Sequence, residues 1–107
     1  MILINIDYLP GYEITESLGL VKGSTIRAKH VGKDILAAFR QIVGGELKEY
    51  SKMLDESRQI STGKMVSEAE NLGAHAIINI RFATSNVMQG AAEILVYGTA
   101  VKVKKNL

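Results

Sequence analysis

The chain contains no cysteine and no tryptophan, and only one of its 107 residues is proline. The lack of cysteine excludes disulfide bonds, thiolate catalysis and every zinc site built on sulfur. No stretch approaches the roughly 20 apolar residues that span a bilayer. The apolar start, Met1 to Ile6, is too short for the core of a signal peptide and lacks a basic leader. We therefore expect a cytoplasmic protein with no membrane partner.

The chain also has little excess of charge of one sign, because its formal net charge is only +2. Small basic groups occur at residues 27–33 and at residues 102–105, but neither forms the one-faced, aromatic-lined stripe that is typical of nucleic-acid binding. Nucleic acid is therefore not an expected partner. Hydrophobic residues make up 47% of the chain, which indicates a folded protein, and the length indicates a single domain over residues 1–107.

The first third of the chain has the alternation of β-strands. Pro10-Gly11 marks a turn, and the following segment YEITESLGLV places four apolar side chains on one predicted face: Tyr12, Ile14, Leu18 and Leu20. Gly23-Ser24 has the composition of a second turn, and TIRAKHV alternates again. The pattern predicts a meander of two strands.

The middle of the chain has helical spacing. A short helix is predicted to begin at Asp34 and to stop at Gly44-Gly45, and a long helix is predicted from Glu46 to Leu72, ended by Gly73. The predicted apolar stripe of the long helix consists of Leu47, Tyr50, Leu54, Met65, Ala69 and Leu72. Such a helix would be about 40 Å long, against about 35 Å for a compact domain of this size. It therefore either kinks near residues 61–63 or runs on and packs against another chain, and we favour the second.

The last third predicts a β-hairpin with a loop around SNVMQG. Its first strand is expected to place Ala76, Ile78, Ile80 and Phe82 on one face. Its second strand, within QGAAEILVYGTAVKV, is apolar on both faces: Leu95, Tyr97, Thr99 and Val101 on one, and Ala92, Ile94, Val96 and Ala100 on the other. A strand of this kind must be covered twice. The helices can cover one side of the sheet, so a second copy of the chain is the expected cover of the other side.

Enzyme signatures are scarce: the motifs GxSxG, HExxH, GxxxxGK[ST] and GxGxxG are all missing. Two interpretations of Glu93 stay open. It either forms a cross-strand ion pair with Arg81, or it shares a pocket between subunits with Tyr97, where Arg81 supplies the counter-charge. An enzyme that uses Glu93 or Glu46 as acid or base lacks a second catalytic partner. We therefore predict no catalytic residues, and the sequence identifies no cofactor.

Four segments, PGYEI, IVGGELKEY, LGAHAIINIRF and AAEILVYGTAV, resemble the YbjQ family of small bacterial and archaeal proteins. The resemblance runs from about Tyr8 to Val103. It implies an α+β subunit, an antiparallel sheet with one short and one long helix on one face, similar to dodecin and assembled into a ring, commonly a pentamer. One departure is His75, which stands where the family tends to have an aspartate.

The family often carries the label "putative heavy-metal-binding", yet this chain offers no evident ligand set, since His30 and His75 lie on different predicted elements. No metal ligand is therefore predicted. Six residues that match the family pattern are the predicted inter-subunit or ligand site: Glu46, Tyr50, Arg58, Arg81, Glu93 and Tyr97. The predicted function is a non-enzymatic, ring-forming homo-oligomer that binds a small ligand or acts as a scaffold. The alternative is a heavy-metal-binding protein, whose partner would be a metal ion.

Overall fold

The structure, a computed structural model, describes residues 1–28, 48–88 and 91–107. In chain order the described elements are β1 (Ile2–Leu3), β2 (Tyr12–Ala28), α1 (Lys48–Asn71), β3 (Ala76–Met88) and β4 (Ala91–Lys105). The strands form one sheet in the order β1-β3-β4-β2. Strand β1 is parallel to β3, and the other neighbours are antiparallel. The α+β class is confirmed, but the sheet is mixed rather than purely antiparallel.

Several sequence predictions fall outside the described residues. The short helix that begins at Asp34, the break at Gly44-Gly45 and the candidate residue Glu46 all lie between residues 29 and 47. The described part of the fold is therefore a single long helix against one side of a four-stranded sheet.

The predicted meander is wrong, because β2 is one strand of 17 residues. Gly23 and Ser24 continue the ladder, opposite Val96 and Leu95 of β4. The glycine is needed for a different reason: a Cβ atom there would lie 2.0 Å from the carbonyl oxygen of Ser61 in α1. Gly23 thus marks the closest approach of helix and sheet, not a turn.

Two irregularities in the β2–β4 register, between Ile14 and Glu16 and between Ser17 and Gly19, change the expected faces of β2. Leu18 packs against the cluster under the helix, whereas the side chain of Leu20 lies on the opposite side of the sheet and is 67% exposed. The prediction that both residues share a face is therefore wrong.

Helix α1 runs without a break through residues 61–63. Its 24 residues give a length of about 36 Å. This length fits the molecule, whose longest dimension is 58 Å, so the helix needs no second chain on account of its length. Gly73, with φ of 78°, ends the helix as predicted, and the Ala74 N–H donates to the Ala69 carbonyl. Among the described residues, no helix is long and apolar enough to cross a membrane.

The face of α1 that meets the sheet is formed by fully buried residues four apart: Ser57, Ser61, Met65 and Ala69. The predicted stripe is right for Met65 and Ala69 and wrong for Leu72, which is exposed. The two serines were not predicted to be buried. Their hydroxyl groups are satisfied, since Ser57 Oγ donates to the Met53 carbonyl and Ser61 Oγ bonds to two groups of the sheet.

Two buried clusters lie on opposite sides of the sheet. The one under α1 contains Val21, Met65, Ala69, Ile77, Val96 and Ala100. The other contains Leu9, Ala76, Ile78 and Val101, with Ile4 packed against it. Strand β4 is thus apolar on both faces, as predicted. Its second face is covered at the Val101 end by the chain's own N-terminal residues, so another copy of the chain is not needed there.

The hairpin is longer than predicted, because β3 continues to Met88 and β4 begins at Ala91. Most of the segment predicted as a loop, from Thr84 onward, is paired strand. The predicted face of β3 is interrupted at Asn79: Ala76 and Ile78 belong to one cluster, whereas Ile80 packs against the other.

Candidate functional site

The side of the sheet opposite α1 is exposed beyond the part that the N-terminal residues cover. We call this surface the open face. It carries Leu20, Lys22, Ser24 and Ile26 from β2, Glu93, Leu95, Tyr97 and Thr99 from β4, and Arg81, Ala83 and Ser85 from β3. Leu20 is 67% exposed, Ile26 62% and Tyr97 37%. The open face therefore presents large apolar groups to solvent, two on the edge strand β2 and one on the inner strand β4.

The most distinctive feature of the open face is a row of three residues across three strands. Tyr97 pairs with Lys22 on one side and with Arg81 on the other. Directly paired residues project their side chains from the same face, and neighbouring strands lie about 4.8 Å apart. Two residues with cationic side chains therefore flank Tyr97 on the neighbouring strands.

A bulge at Asn79 places Arg81 in this row. The register moves from Ile78 opposite Thr99 to Arg81 opposite Tyr97, so β3 contains one extra residue. Without that residue Arg81 would pair with Val96 and face the helix. Asn79 has φ of 55°, a left-handed conformation that asparagine tolerates better than most residues.

The N-terminal segment supports the bulge and the arginine. The Asn79 and Ile80 N–H groups donate to the carbonyls of Ile6 and Ile4 at 2.9 and 3.2 Å. Arg81 Nη1 donates to the Asn5 carbonyl at 2.6 Å and to its neighbouring Ile80 carbonyl at 2.9 Å. Since a guanidinium has five N–H groups, these two bonds anchor the side chain and leave other donors for a ligand.

Glu93 lies elsewhere on the same face. The register places it opposite Ser85 and Ile26, four residues along β4 from Tyr97. That separation is about 13 Å along a strand. The cross-strand ion pair between Glu93 and Arg81 is therefore not formed within the chain, because the bulge and the longer hairpin set a different register.

Glu93 contributes to an open cleft of about 600 Å³. The cleft is lined by Lys22, Gly23, Ser24, Lys64, Glu68, Glu93 and Leu95. Residues of the open face line one side of it, and Lys64 and Glu68 of α1 line the other. On the helix side Lys64 Nζ donates to the Ser24 carbonyl at 2.9 Å. The cleft thus combines two amines, two carboxylates and one apolar side chain.

The structure brings three of the six predicted site residues, Arg81, Glu93 and Tyr97, to one face of the sheet. Arg58 is not among them, because it lies on α1 and pairs with Asp55 of the same helix. Tyr50 is placed only as a residue of the first turn of α1. The sequence interpretation missed Lys22, since it stood beside a presumed turn; a single strand through Gly23 would have placed it on the face of Leu20 and Ile26.

The described residues offer a heavy-metal ion no cluster of histidine and carboxylate ligands. Cysteine is absent from the sequence. The described residues contain no group of three His, Cys, Asp or Glu side chains that could hold an ion. His75 Nδ1 accepts a hydrogen bond from the Val103 N–H at 3.0 Å, and Met65 is fully buried. The Nδ1 atom of His75 is thus engaged, and the thioether of Met65 is out of reach of an ion in solvent.

Comparison with known proteins identifies the family. A family model described as "Putative heavy-metal-binding" matches residues 1–104. A UPF0145 protein of Clostridium novyi is 61% identical over 96% of this chain and 99% of its own, and one of Methanosarcina acetivorans is 58% identical over 96% and 97%. One of Thermus thermophilus is 54% identical over 97% and 91%.

A crystal structure of a protein of unknown function from Pediococcus pentosaceus, assigned to the DUF74 family, has the same fold. It superposes with a TM-score of 0.67 over 97% of this chain and 98% of its own. Its sequence identity of 16% limits that similarity to the fold. The match of the family model over almost the whole chain, together with relatives above 50% identity, shows that this chain belongs to the YbjQ family, whose curated members are named UPF0145.

Proposed function

We propose that this chain is the subunit of a non-enzymatic, ring-forming homo-oligomer that binds a small ligand between subunits. In this assembly a second copy covers the open face, and the ligand lies in the cleft beside Lys22, Glu93 and Tyr97. The exposure of Leu20 and Ile26, 67% and 62%, is the observation that carries the proposal. Burying one such side chain contributes about 1.5–3 kcal/mol, so a cover over both is strongly favoured.

The dimensions of the molecule support a partner. Its extents are 58 × 26 × 15 Å and its radius of gyration is 17.6 Å, against about 13 Å for a compact chain of 100 residues. A body only 15 Å thick buries little of its surface. Among the described residues, α1 covers one side of the sheet and the N-terminal segment covers only part of the other. Association with further copies would bury more of the surface and cover the exposed side of the sheet.

A ring is favoured over a two-fold dimer because two different apolar surfaces are exposed. The first is the open face. The second follows β3, where Phe82, Val87 and Met88 are each more than half exposed. A head-to-tail contact joins unlike surfaces of neighbouring subunits, and such contacts close into rings. The family resemblance adds the expectation of five subunits.

Light scattering and native mass spectrometry test the assembly. We expect a single species whose mass is a multiple of 11.7 kDa, with five copies for the pentamer. A monomer at micromolar concentration would overturn the proposal. We also expect Leu20→Asp to lower the mass, because it places a charge in the buried contact. The matched control is Ile60→Asp, since Ile60 is a 41% exposed side chain on α1, away from the open face.

Heavy-metal binding is the second candidate, and the family description is its support. A stoichiometric ion would stabilise the folded assembly and raise its melting temperature by an amount that grows with the logarithm of ion concentration over Kd. Titration with zinc, copper, nickel and cadmium, followed by native mass spectrometry, separates the candidates. One retained ion per subunit would favour the metal function, and no shift would count against it.

A further inference from the structure

The open face is ordered in three successive rows with different chemistry. The first row is cationic and aromatic, with Lys22, Tyr97 and Arg81. The second is small and apolar: Ser24, Leu95 and Ala83. The third is acidic at its centre: Ile26, Glu93 and Ser85. Successive rows are two residues apart along each strand, about 6.6 Å, so the cations and the carboxylate are about 13 Å apart.

We propose that this surface, together with the cleft, binds a nucleoside monophosphate whose base carries an exocyclic amino group. This inference rests on the proposed function, because a second subunit is needed to close the site. The phosphate would lie between Lys22 and Arg81, the planar base would pack beside Tyr97 and Leu95, and Glu93 would accept a hydrogen bond from the amino group. The adjoining cleft shares Lys22, Glu93 and Leu95 with this surface, although Tyr97 and Arg81 do not line it. Its volume of about 600 Å³ is within the usual range for small-molecule sites, about 300–1,000 Å³.

The charge order selects this ligand class and its orientation. A phosphate is attracted by two cations at the Tyr97 row and repelled by Glu93 at the far row. A donor group at the opposite end of the ligand satisfies that carboxylate, which would otherwise be buried without a partner when a second subunit covers it. A simple inorganic anion reaches only one of the two ends, and a neutral planar molecule leaves both cations unpaired.

Ligand analogues test the two ends separately by calorimetry on the intact assembly. We expect AMP to bind with one site per subunit. Adenosine, which lacks the phosphate, should bind at least tenfold more weakly, and so should inorganic phosphate, which lacks the base. IMP has an oxygen in place of the amino group and should bind about tenfold more weakly than AMP, because that oxygen cannot donate to Glu93 and is repelled by its carboxylate. Equal affinity for AMP and adenosine would overturn the proposal.

Three variants and one control assign the contacts. Lys22→Gln should weaken AMP binding about tenfold without a change in assembly mass, and Tyr97→Leu should weaken AMP and adenosine alike. Glu93→Gln should bind AMP and IMP equally, since an amide can donate as well as accept. The control, Lys52→Gln, removes the same charge from an exposed position on α1 and should bind as the wild type does.

The two proposals fail in different ways. An intact oligomer that does not bind AMP at millimolar concentration, or that loses binding equally in Lys22→Gln and Lys52→Gln, overturns the nucleotide site and leaves the assembly standing. A monomeric wild-type chain overturns the assembly, and the nucleotide site falls with it, because the site requires a second subunit.

Discussion

At the scale of single residues, Gly23 sets the distance between α1 and β2. A Cβ atom there would lie 2.0 Å from Ser61 O and 2.7 Å from Met65 N, both backbone atoms that can move only with the helix. We expect Gly23→Ala to lower the free energy of unfolding by about 1–3 kcal/mol or more, measured from the urea midpoint.

Gly63 provides the matched control, since it is a glycine in the same helix with nothing within 4 Å of its missing Cβ. Gly63→Ala should stabilise the protein by about 0.5–1 kcal/mol because alanine has the higher helix propensity. If the two variants had the same stability, the close contact at Gly23 would be refuted.

His75 extends the ladder between β3 and β4 with a side chain. Its Nδ1 accepts from the Val103 N–H at 3.0 Å, just beyond the pair of Ala76 with Val101. Asparagine and aspartate carry an oxygen acceptor at the position that corresponds to Nδ1. We expect His75→Asn and His75→Asp to retain the bond, whereas His75→Leu should lose about 0.5–1.5 kcal/mol.

Hydrogen exchange at the Val103 amide is the direct measurement for this bond. Exchange should be slow in the wild type and in His75→Asn, and clearly faster in His75→Leu. Equal protection in all three would show that the imidazole does not hold this amide.

At the scale of elements, two features that depend on local pattern were predicted correctly. The two apolar faces of β4 and the end of α1 at Gly73 were confirmed because alternation and a left-handed glycine are local signals. The continuity of β2 through Gly23 was missed, since a glycine that allows close contact with a helix cannot be distinguished in the sequence from one that makes a turn. That distinction depends on Ser61, which is 38 residues further along the chain.

The candidate site was predicted only in part, for a similar reason. Tyr97, Arg81 and Glu93 were identified, but their mutual arrangement depends on the extra residue at Asn79. That bulge is stabilised by hydrogen bonds to Ile4 and Ile6, which no periodicity in β3 reveals. The shift of one residue decides whether Arg81 joins Tyr97 or faces the helix.

Helix α1 is held to the sheet by a buried polar contact. Ser61 Oγ lies 2.9 Å from the Ile94 carbonyl and 2.8 Å from Thr25 Oγ1. Ser61→Ala should cost about 1–3 kcal/mol, because it leaves a buried hydroxyl and a carbonyl without this partner. Thr25→Val should lower the free energy of unfolding less in the Ser61→Ala background than in the wild type. A double-mutant cycle by urea unfolding would measure this difference.

Ser57→Ala is the control for this cycle. Ser57 is equally buried, but its hydroxyl bonds to the Met53 carbonyl of its own helix. Its removal leaves no group of the sheet without a partner, so its cost should be smaller. Additive costs for Ser61→Ala and Thr25→Val would mean that the two hydroxyls act independently.

At the scale of the whole molecule, the side of the sheet opposite α1 is covered in one part and exposed in another. Leu9 and Ile4 cover it near Val101, within the chain. Farther along β2, Leu20 and Ile26 lie on the same side of the sheet and stay exposed. The N-terminal residues thus define where the open face begins, and they also hold the bulge that places Arg81 on it.

If a second copy covers the open face, the melting temperature must depend on protein concentration. For a pentamer, a hundredfold dilution removes about 2 kcal/mol of stability per subunit, which corresponds to a fall of roughly 10 °C for a domain of this size. Scanning calorimetry at 5 and 500 μM would measure the change. Leu20→Asp should melt at a lower temperature that no longer depends on concentration, whereas Ile60→Asp should retain the dependence. A wild-type melting temperature unaffected by dilution would show that the open face is not an interface, since folding and association are linked wherever a subunit contact contributes to stability.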